Sequence, residues 1–195
     1  MELMPLQIDL PPGFAGMPVG TDDKMNRGHA WTVAENLAAG AGTSIEQFGS
    51  YLMALVPTMQ ANGIRVFGKF AVGRRKGDVA TLTLGVVQWP ETAPGNRDAV
   101  VAAMAAEYRT RHPQSVVQPV RLPIGPALVA FSGGEFRFPE HDVRTQIRAE
   151  YQIPLPDGRS VVILSVVAES EDAWPAVAEA TAKVAWSLRS EQECG

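Results

Sequence analysis

The histidines and two of the serines are the side chains with the most evident potential for chemistry. His29, His112 and His141 include no i, i+4 pair, so the spacing predicts neither a metal site nor a cofactor. Ser132 is outside the Gly-x-Ser-x-Gly context of a hydrolase nucleophile. Ser165 lies in an apolar run, where its hydroxyl is expected to bond to backbone, and neither serine has a neighbouring base. The sequence therefore predicts no catalytic residue and no enzyme activity.

Two groups of charged residues invite an anion-binding interpretation. Residues 73–77 read Gly-Arg-Arg-Lys-Gly, but a phosphate-binding P-loop ends in Gly-Lys-Ser/Thr and opens a helix. Their position between two predicted strands favours a solvated turn whose charges keep a sheet edge soluble. Arg144 and Arg148 share one face of a predicted strand with Glu150, and we expect these charges to screen one another rather than to form an anion site.

The tryptophans are a further candidate, because four such rings are enough to line a ligand cage. Trp174 belongs to the apolar stripe of the last predicted helix and is expected to be structural. Trp186 falls off that stripe, which leaves its role open.

The segment containing Phe136, Arg137 and Phe138 is the candidate partner-binding site. Its two phenylalanines stand two residues apart in a polar stretch bounded by glycines and by Pro139. In an extended loop both rings would face the same side. Two interpretations are equally supported: the rings pin the loop to the core, or they form an apolar patch that anchors another protein or a second copy of the same protein.

The elements that must position these residues are clearest near the C-terminus. Residues 143–153 alternate between apolar and polar, which predicts a strand with one buried and one wet face. Pro156, Asp157 and Gly158 supply a turn. Residues 160–168 are apolar at odd and at even positions, as in a central strand covered on both faces. A helix follows, with an apolar stripe from Trp174 to Leu188.

The upstream pattern predicts further strands and helices. Residues 6–10 read as an edge strand, and residues 20–63 as two helices capped near Asp22 and at Ser44, with Pro57 kinking or ending the second. Strands at 64–72, 79–89, 115–121 and 126–131 surround a helix at 96–112, and a loop spans 132–142. The predicted fold class is therefore α+β: a mostly antiparallel sheet of six or seven strands covered by helices, an α/β/α sandwich.

Composition limits the class of protein. A protein of 195 residues that is 46% hydrophobic can bury a core, and we expect a single domain, 1–195, with a helical insert at about residues 20–63. A net charge of −4 disfavours nucleic acid as a partner. The one cysteine, Cys194, suits a reducing compartment, and no signal peptide or membrane span is predicted. We therefore expect a cytoplasmic protein.

Five segments of the sequence form a recognisable combination. They are a helix at 96–112, the Arg-Leu-Pro-Ile-Gly-Pro-Ala run at 121–127, the hairpin with Ala-Glu-Tyr-Gln-Ile-Pro at 149–154 and Asp-Gly at 157–158, the Ala-Trp-Ser-Leu-Arg helix end at 185–189, and Asp-Leu-Pro-Pro-Gly-Phe at 9–14. Together these segments resemble the PsbP-like superfamily. The resemblance implies a helix-covered sheet and a family that binds other proteins without shared catalytic residues. The sequence departs from it in residues 20–63 and in lacking a targeting peptide or lipobox cysteine.

The leading functional hypothesis is a non-enzymatic protein-binding module, such as a bacterial adaptor or chaperone. One alternative is a carrier of a small apolar ligand, held between the helices of residues 20–63 and the sheet. Another is an enzyme whose residues are too dispersed along the sequence to recognise.

Overall fold

The computed structural model describes residues 6–40, 42–72, 79–89, 96–137, 143–168 and 172–190. Expectations about His141, Phe138, Cys194 and residues 73–77 therefore lie outside the described residues. In sequence order the elements are β1 (Leu6–Gln7), β2 (Ala15–Pro18), α1 (Asp23–Leu37), α2 (Ile45–Ala61), β3 (Ile64–Ala71), β4 (Val79–Gln88), α3 (Arg97–Arg111), β5 (Val116–Leu122), β6 (Gly125–Arg137), β7 (Val143–Pro154), β8 (Ser160–Ala168), α4 (Trp174–Ser187) and β9 (Arg189–Ser190).

Seven of these strands form one antiparallel sheet in the order β2-β3-β4-β8-β7-β6-β5. This confirms the predicted α+β class. The expectation for residues 6–10 was wrong in part, because β1 is only two residues long and pairs with β9 in a separate sheet. The edge position belongs instead to β2, which is too short and too rich in Gly and Pro to carry an alternating pattern.

The helix starts agree with the caps expected from the sequence. The Asp22 side chain accepts hydrogen bonds from the backbone N–H groups of Lys24 and Met25, at 2.8 and 3.1 Å. Ser44 and Gln47 form a reciprocal capping box at the start of α2. The Asn96 side chain accepts from the Ala99 N–H at 3.1 Å. Capping depends on residues three apart, which is why it can be recognised without tertiary structure.

Pro57 was expected to kink or end α2, and it does not end the helix. The helix continues to Ala61. Pro57 lies on the exposed side of α2, whereas Leu52, Val56 and Met59 are buried on the other side. Tertiary packing on both sides of the proline therefore outweighs the lost N–H.

Three helices lie on one face of the sheet. A row of register partners crosses the sheet from Phe67 through Thr83, Ser165 and Glu150 to Ala130. Partners directly opposite one another share a face. At one end of the row Phe67 packs against α1 and α2, and at the other Ala130 packs against α3. Between these helices, β4 presents Thr81, Thr83 and Gly85, and β8 presents Ile163, Ser165 and Val167.

The opposite face carries α4 and the largest apolar cluster. Leu82, Leu164 and Val166 are buried against Val177 and Val184 of that helix. The central strand predicted at 160–168 is confirmed, since β8 lies between β4 and β7. Its burial is less complete than expected, because Ile163 is half-buried on the face shared with α3.

The free edge of the sheet at β5 is protected by a side chain of α3 and by a proline of β5 itself. The Val117 carbonyl accepts a hydrogen bond from Arg109 Nη2 of α3 at 3.0 Å. Alternate residues of an edge strand turn their backbone groups away from the sheet, and Pro119, two positions on, has no N–H to offer. An incoming strand would find one acceptor already used and one donor missing.

We expect that removing both protective groups, the Arg109 side chain and the Pro119 ring, promotes self-association. In the double variant Arg109→Ala/Pro119→Val the edge regains a free carbonyl and a free N–H, so sedimentation velocity should show about a twofold rise in mean mass over the parent. Each single variant is the control, because each keeps one of the two protective groups. A double variant that sediments like the parent would contradict the assignment of this edge as protected.

Candidate functional site

A groove runs along α3 where this helix faces β7, β8 and β4; we call it the α3 groove. It consists of two hollows. The first, of about 570 Å³, is lined by Val87, Gln88, Trp89, Met104, Glu107, Tyr108, Arg111, His112, Arg148, Glu150, Gln152, Val161 and Ile163. The second, of about 630 Å³, shares Tyr108, Arg111, His112 and Arg148 with the first, so the two hollows adjoin one another. Hollows of this size are typical of ligand sites.

The floor of the α3 groove is a polar network on β7. Arg148, Glu150 and Gln152 stand two residues apart and therefore share one face of the strand. Arg148 forms an ion pair with Glu150 and donates from Nε to Ser165 Oγ at 2.9 Å. Gln152 Nε2 donates to Glu150 Oε1 at 2.7 Å. Both carboxylate oxygens are thus hydrogen-bonded.

Glu150 is buried. This corrects the expectation that the polar residues at the even positions from 144 to 152 face solvent. Its side chain is only 5% exposed, against 46% for Arg148. The expected mutual screening of Arg148 and Glu150 does occur, but a carboxylate this far from water costs several kcal/mol unless it is paired and hydrogen-bonded. The side chain of Arg144, the other arginine of that expectation, is not described.

Ser165 also differs from its expected role. Its hydroxyl accepts from the Arg148 side chain rather than bonding only to backbone. A guanidinium keeps its proton at every physiological pH, so it cannot act as the base that would activate a serine nucleophile. The arrangement therefore positions Arg148 and does not prepare Ser165 for catalysis.

The wall of the α3 groove comes from the last two turns of α3. The rings of Tyr108 and His112 are in contact, with centroids 4.7 Å apart and planes tilted by 44°, and Glu107 pairs with Arg111; both pairs have i, i+4 spacing. Burial, with a smaller contribution from the charge of Glu150 and an opposing one from Arg148, raises the pKa of the Tyr108 phenol above its usual value. Tyr108 therefore stays protonated and can donate a hydrogen bond into the groove.

Of the other sequence candidates, His112 and Trp89 line the α3 groove, and the rest lie elsewhere. His29 is in α1 and His112 caps α3. Trp89 lines the first hollow, Trp174 packs edge-on against Phe131, with centroids 5.3 Å apart, and Trp186 is exposed. Among the described residues no cluster of three or more His, Cys, Asp or Glu could hold a metal ion. Within the same residues, no helix combines the length and apolar character needed to cross a bilayer.

The predicted loop at 132–142 is in part a strand. β6 continues to Arg137, and Phe136 and Arg137 pair with Arg144 and Val143 of β7. The glycines at 133 and 134 were interpreted as a loop boundary, but both are register partners in this ladder. Phe138 and the side chains of Phe136 and Arg137 lie outside the described part. Ser132 and Gly133 line the second hollow, so the strand that leads to Phe136 borders the α3 groove.

Sequence reasoning missed the α3 groove because its residues are far apart in the sequence. The available signals were local: two i, i+4 pairs at the end of α3, and three polar residues at alternate positions of β7. Neither signal indicates that the helix lies over that face of the strand.

The protein was compared with family models, with curated proteins and with solved structures. It matches none of them.

Proposed function

We propose that the protein is a non-enzymatic protein-binding module, and that the α3 groove holds an extended segment of a partner protein. The observation that carries this proposal is that two hollows adjoin one another at Arg148. A site made of two adjoining hollows suits an extended polypeptide, which can occupy both, better than a compact small molecule.

The chemistry of the groove supports the same proposal. Trp89, Ile163 and Val87 supply apolar surface, while Gln152 and Tyr108 supply an acceptor and a donor. An extended peptide presents both backbone N–H and C=O groups with side chains between them, so it needs such a mixture. The network beneath fixes the polar groups in advance, which lowers the entropic cost of binding.

The state of the candidate reactive groups favours binding over catalysis. A phenol whose pKa is raised supplies less phenolate to act as a base at neutral pH, and Ser165 is held by a cation. For these reasons we do not propose an enzyme. The alternative of an apolar-ligand carrier has less support, because the space between α1, α2 and the sheet is filled by side chains that include Met17, Val33 and Leu52.

The remaining features of the proposal come from the sequence. The resemblance to the PsbP-like superfamily supports a protein-binding role such as an adaptor or chaperone. We further propose that Phe136, Arg137 and Phe138 add contacts to the same partner or to a second copy, because β6 leads from the groove to these residues. The mild net charge of −4 and the single cysteine support a cytoplasmic protein that does not bind nucleic acid.

Selection from a displayed library of random dodecapeptides tests this function. We expect selected peptides to shift the amide NMR signals of groove residues, and to bind the Tyr108→Ala variant about tenfold more weakly than the parent, because that ring forms part of the wall. NMR mapping uses the parent protein, so it does not depend on the stability of the variant.

Tyr51→Ala is the matched control. Tyr51 is 60% exposed on α2 and lies outside both hollows, so its removal should leave peptide affinity unchanged. The proposal fails if no peptide is selected, if the shifts map away from the groove, or if both tyrosine variants bind alike.

A further inference from the structure

Two arginines stand where the hollows of the α3 groove join. Arg148 rises from the floor and Arg111 projects from the wall, and each lines both hollows. Their side chains are the more accessible partners of their ion pairs, at 46% and 68% exposure against 5% for Glu150 and 40% for Glu107. The junction therefore presents more cationic than anionic surface, although the formal charges of the four side chains cancel.

Arg148 is oriented by buried groups. Its Nε donates to Ser165 and its Nη2 to Glu150, and both partners are more than nine-tenths buried. These bonds occupy one side of the guanidinium. Among the described residues Nη1 has no hydrogen-bond partner, and a planar guanidinium offers its remaining N–H groups in a fixed fork that matches a carboxylate.

Arg111 can exchange its partner at little cost. Its pair with Glu107 is an exposed i, i+4 pair on one helix, and such surface pairs contribute little to stability. His112 and Tyr108, on the same two turns, add polar side-chain atoms to the lining of both hollows. A ligand anion that meets Arg111 and Arg148 together would gain more than the surface pair loses.

We propose that Arg111 and Arg148 clamp the carboxylate of an acidic side chain within the partner segment. This inference rests on the proposed function and names the residue that the α3 groove selects. The hollows extend on both sides of the two arginines, so the bound segment continues past them, which favours an internal Asp or Glu over the C-terminal carboxylate of a peptide. Glu150 and Ser165 are positioning residues that act through Arg148.

NMR titration with three synthetic peptides tests the clamp. The first is the pentapeptide Ala-Ala-Glu-Ala-Ala with both ends blocked, the second has Gln in place of Glu, and the third has five alanines, a blocked N-terminus and a free C-terminal carboxylate. Only the Glu peptide is expected to shift the side-chain Nε–H signals of Arg111 and Arg148 together. Because the contact is electrostatic, this shift should weaken as salt is added.

Arg111→Gln is the variant of choice, since Arg111 is exposed and its removal should not unfold the protein. We expect it to weaken binding of the Glu peptide about fivefold without changing the response to the Gln peptide. Arg121→Gln is the matched control, because Arg121 is an equally exposed arginine that pairs with Asp98 outside the groove.

The outcomes separate the clamp from the binding function. If the Glu and Gln peptides shift the same groove signals equally, the groove binds peptides but the clamp is wrong. A stronger response to the free C-terminal carboxylate would overturn the assignment of an internal acidic residue. If none of the three peptides shifts either arginine, the clamp is also wrong, while the library selection still decides the binding function.

Discussion

Replacing Arg148 by methionine is expected to lower the free energy of unfolding by about 3 kcal/mol. The substitution keeps an apolar stem of similar length but removes the cation that faces Glu150, whose side chain is 5% exposed. The carboxylate would then be left with Gln152 as its hydrogen-bond donor among the described residues. We place the loss at the low end for a broken buried pair because Arg148 itself is half-exposed. Urea denaturation of the parent and variant measures it.

The double variant Arg148→Met/Glu150→Leu should recover most of this loss and come within about 1 kcal/mol of the parent, because no buried charge remains. Arg121→Met is the control for a lost surface pair; its partner Asp98 is exposed, and the expected change is below about 1 kcal/mol. The double variant should also fail to bind groove peptides despite being folded. A single variant as stable as the parent would show that Glu150 is not held by Arg148.

The fold was predictable wherever its signal is local. Alternation marked β7, the apolar run marked β8, and capping side chains marked the starts of α1, α2 and α3. Two elements extend beyond the point where local rules predict an end. α2 continues beyond Pro57, and β6 continues beyond two glycines to Arg137. In both cases neighbouring elements supply contacts that no window of the sequence contains.

The candidate site was predictable only in its parts. The alternation of β7 shows that Arg148, Glu150 and Gln152 share a face, but not that α3 lies above that face. Charged residues on the polar face of a strand are normally solvated, so the burial of Glu150 is unusual. Such conflicts between local pattern and burial occur often at functional sites, and here the conflict lies on the floor of the α3 groove.

Gly63 lies in the short connection between α2 and β3. It follows Asn62, the C-cap of α2, and adopts a left-handed backbone with a φ of 70°. Its carbonyl accepts a hydrogen bond from the Val86 N–H of β4 at 2.9 Å. A Cβ at this position would lie 2.2 Å from the Val86 carbonyl oxygen, which is a backbone atom and cannot move aside by changing rotamer.

We therefore expect Gly63→Ala to lower the free energy of unfolding by about 3 kcal/mol, from roughly 1–2 kcal/mol of left-handed backbone strain and a similar cost of overlap with β4. Gly13→Ala isolates the backbone cost: Gly13 has a φ of 71°, but no heavy atom lies within 4 Å of the position that a Cβ would take there, so about 1 kcal/mol should be lost. Chemical denaturation of the two variants gives the difference directly. Equal losses would show that β4 yields to the added methyl group and that the close approach of Gly63 to Val86 does not fix the helices on the sheet.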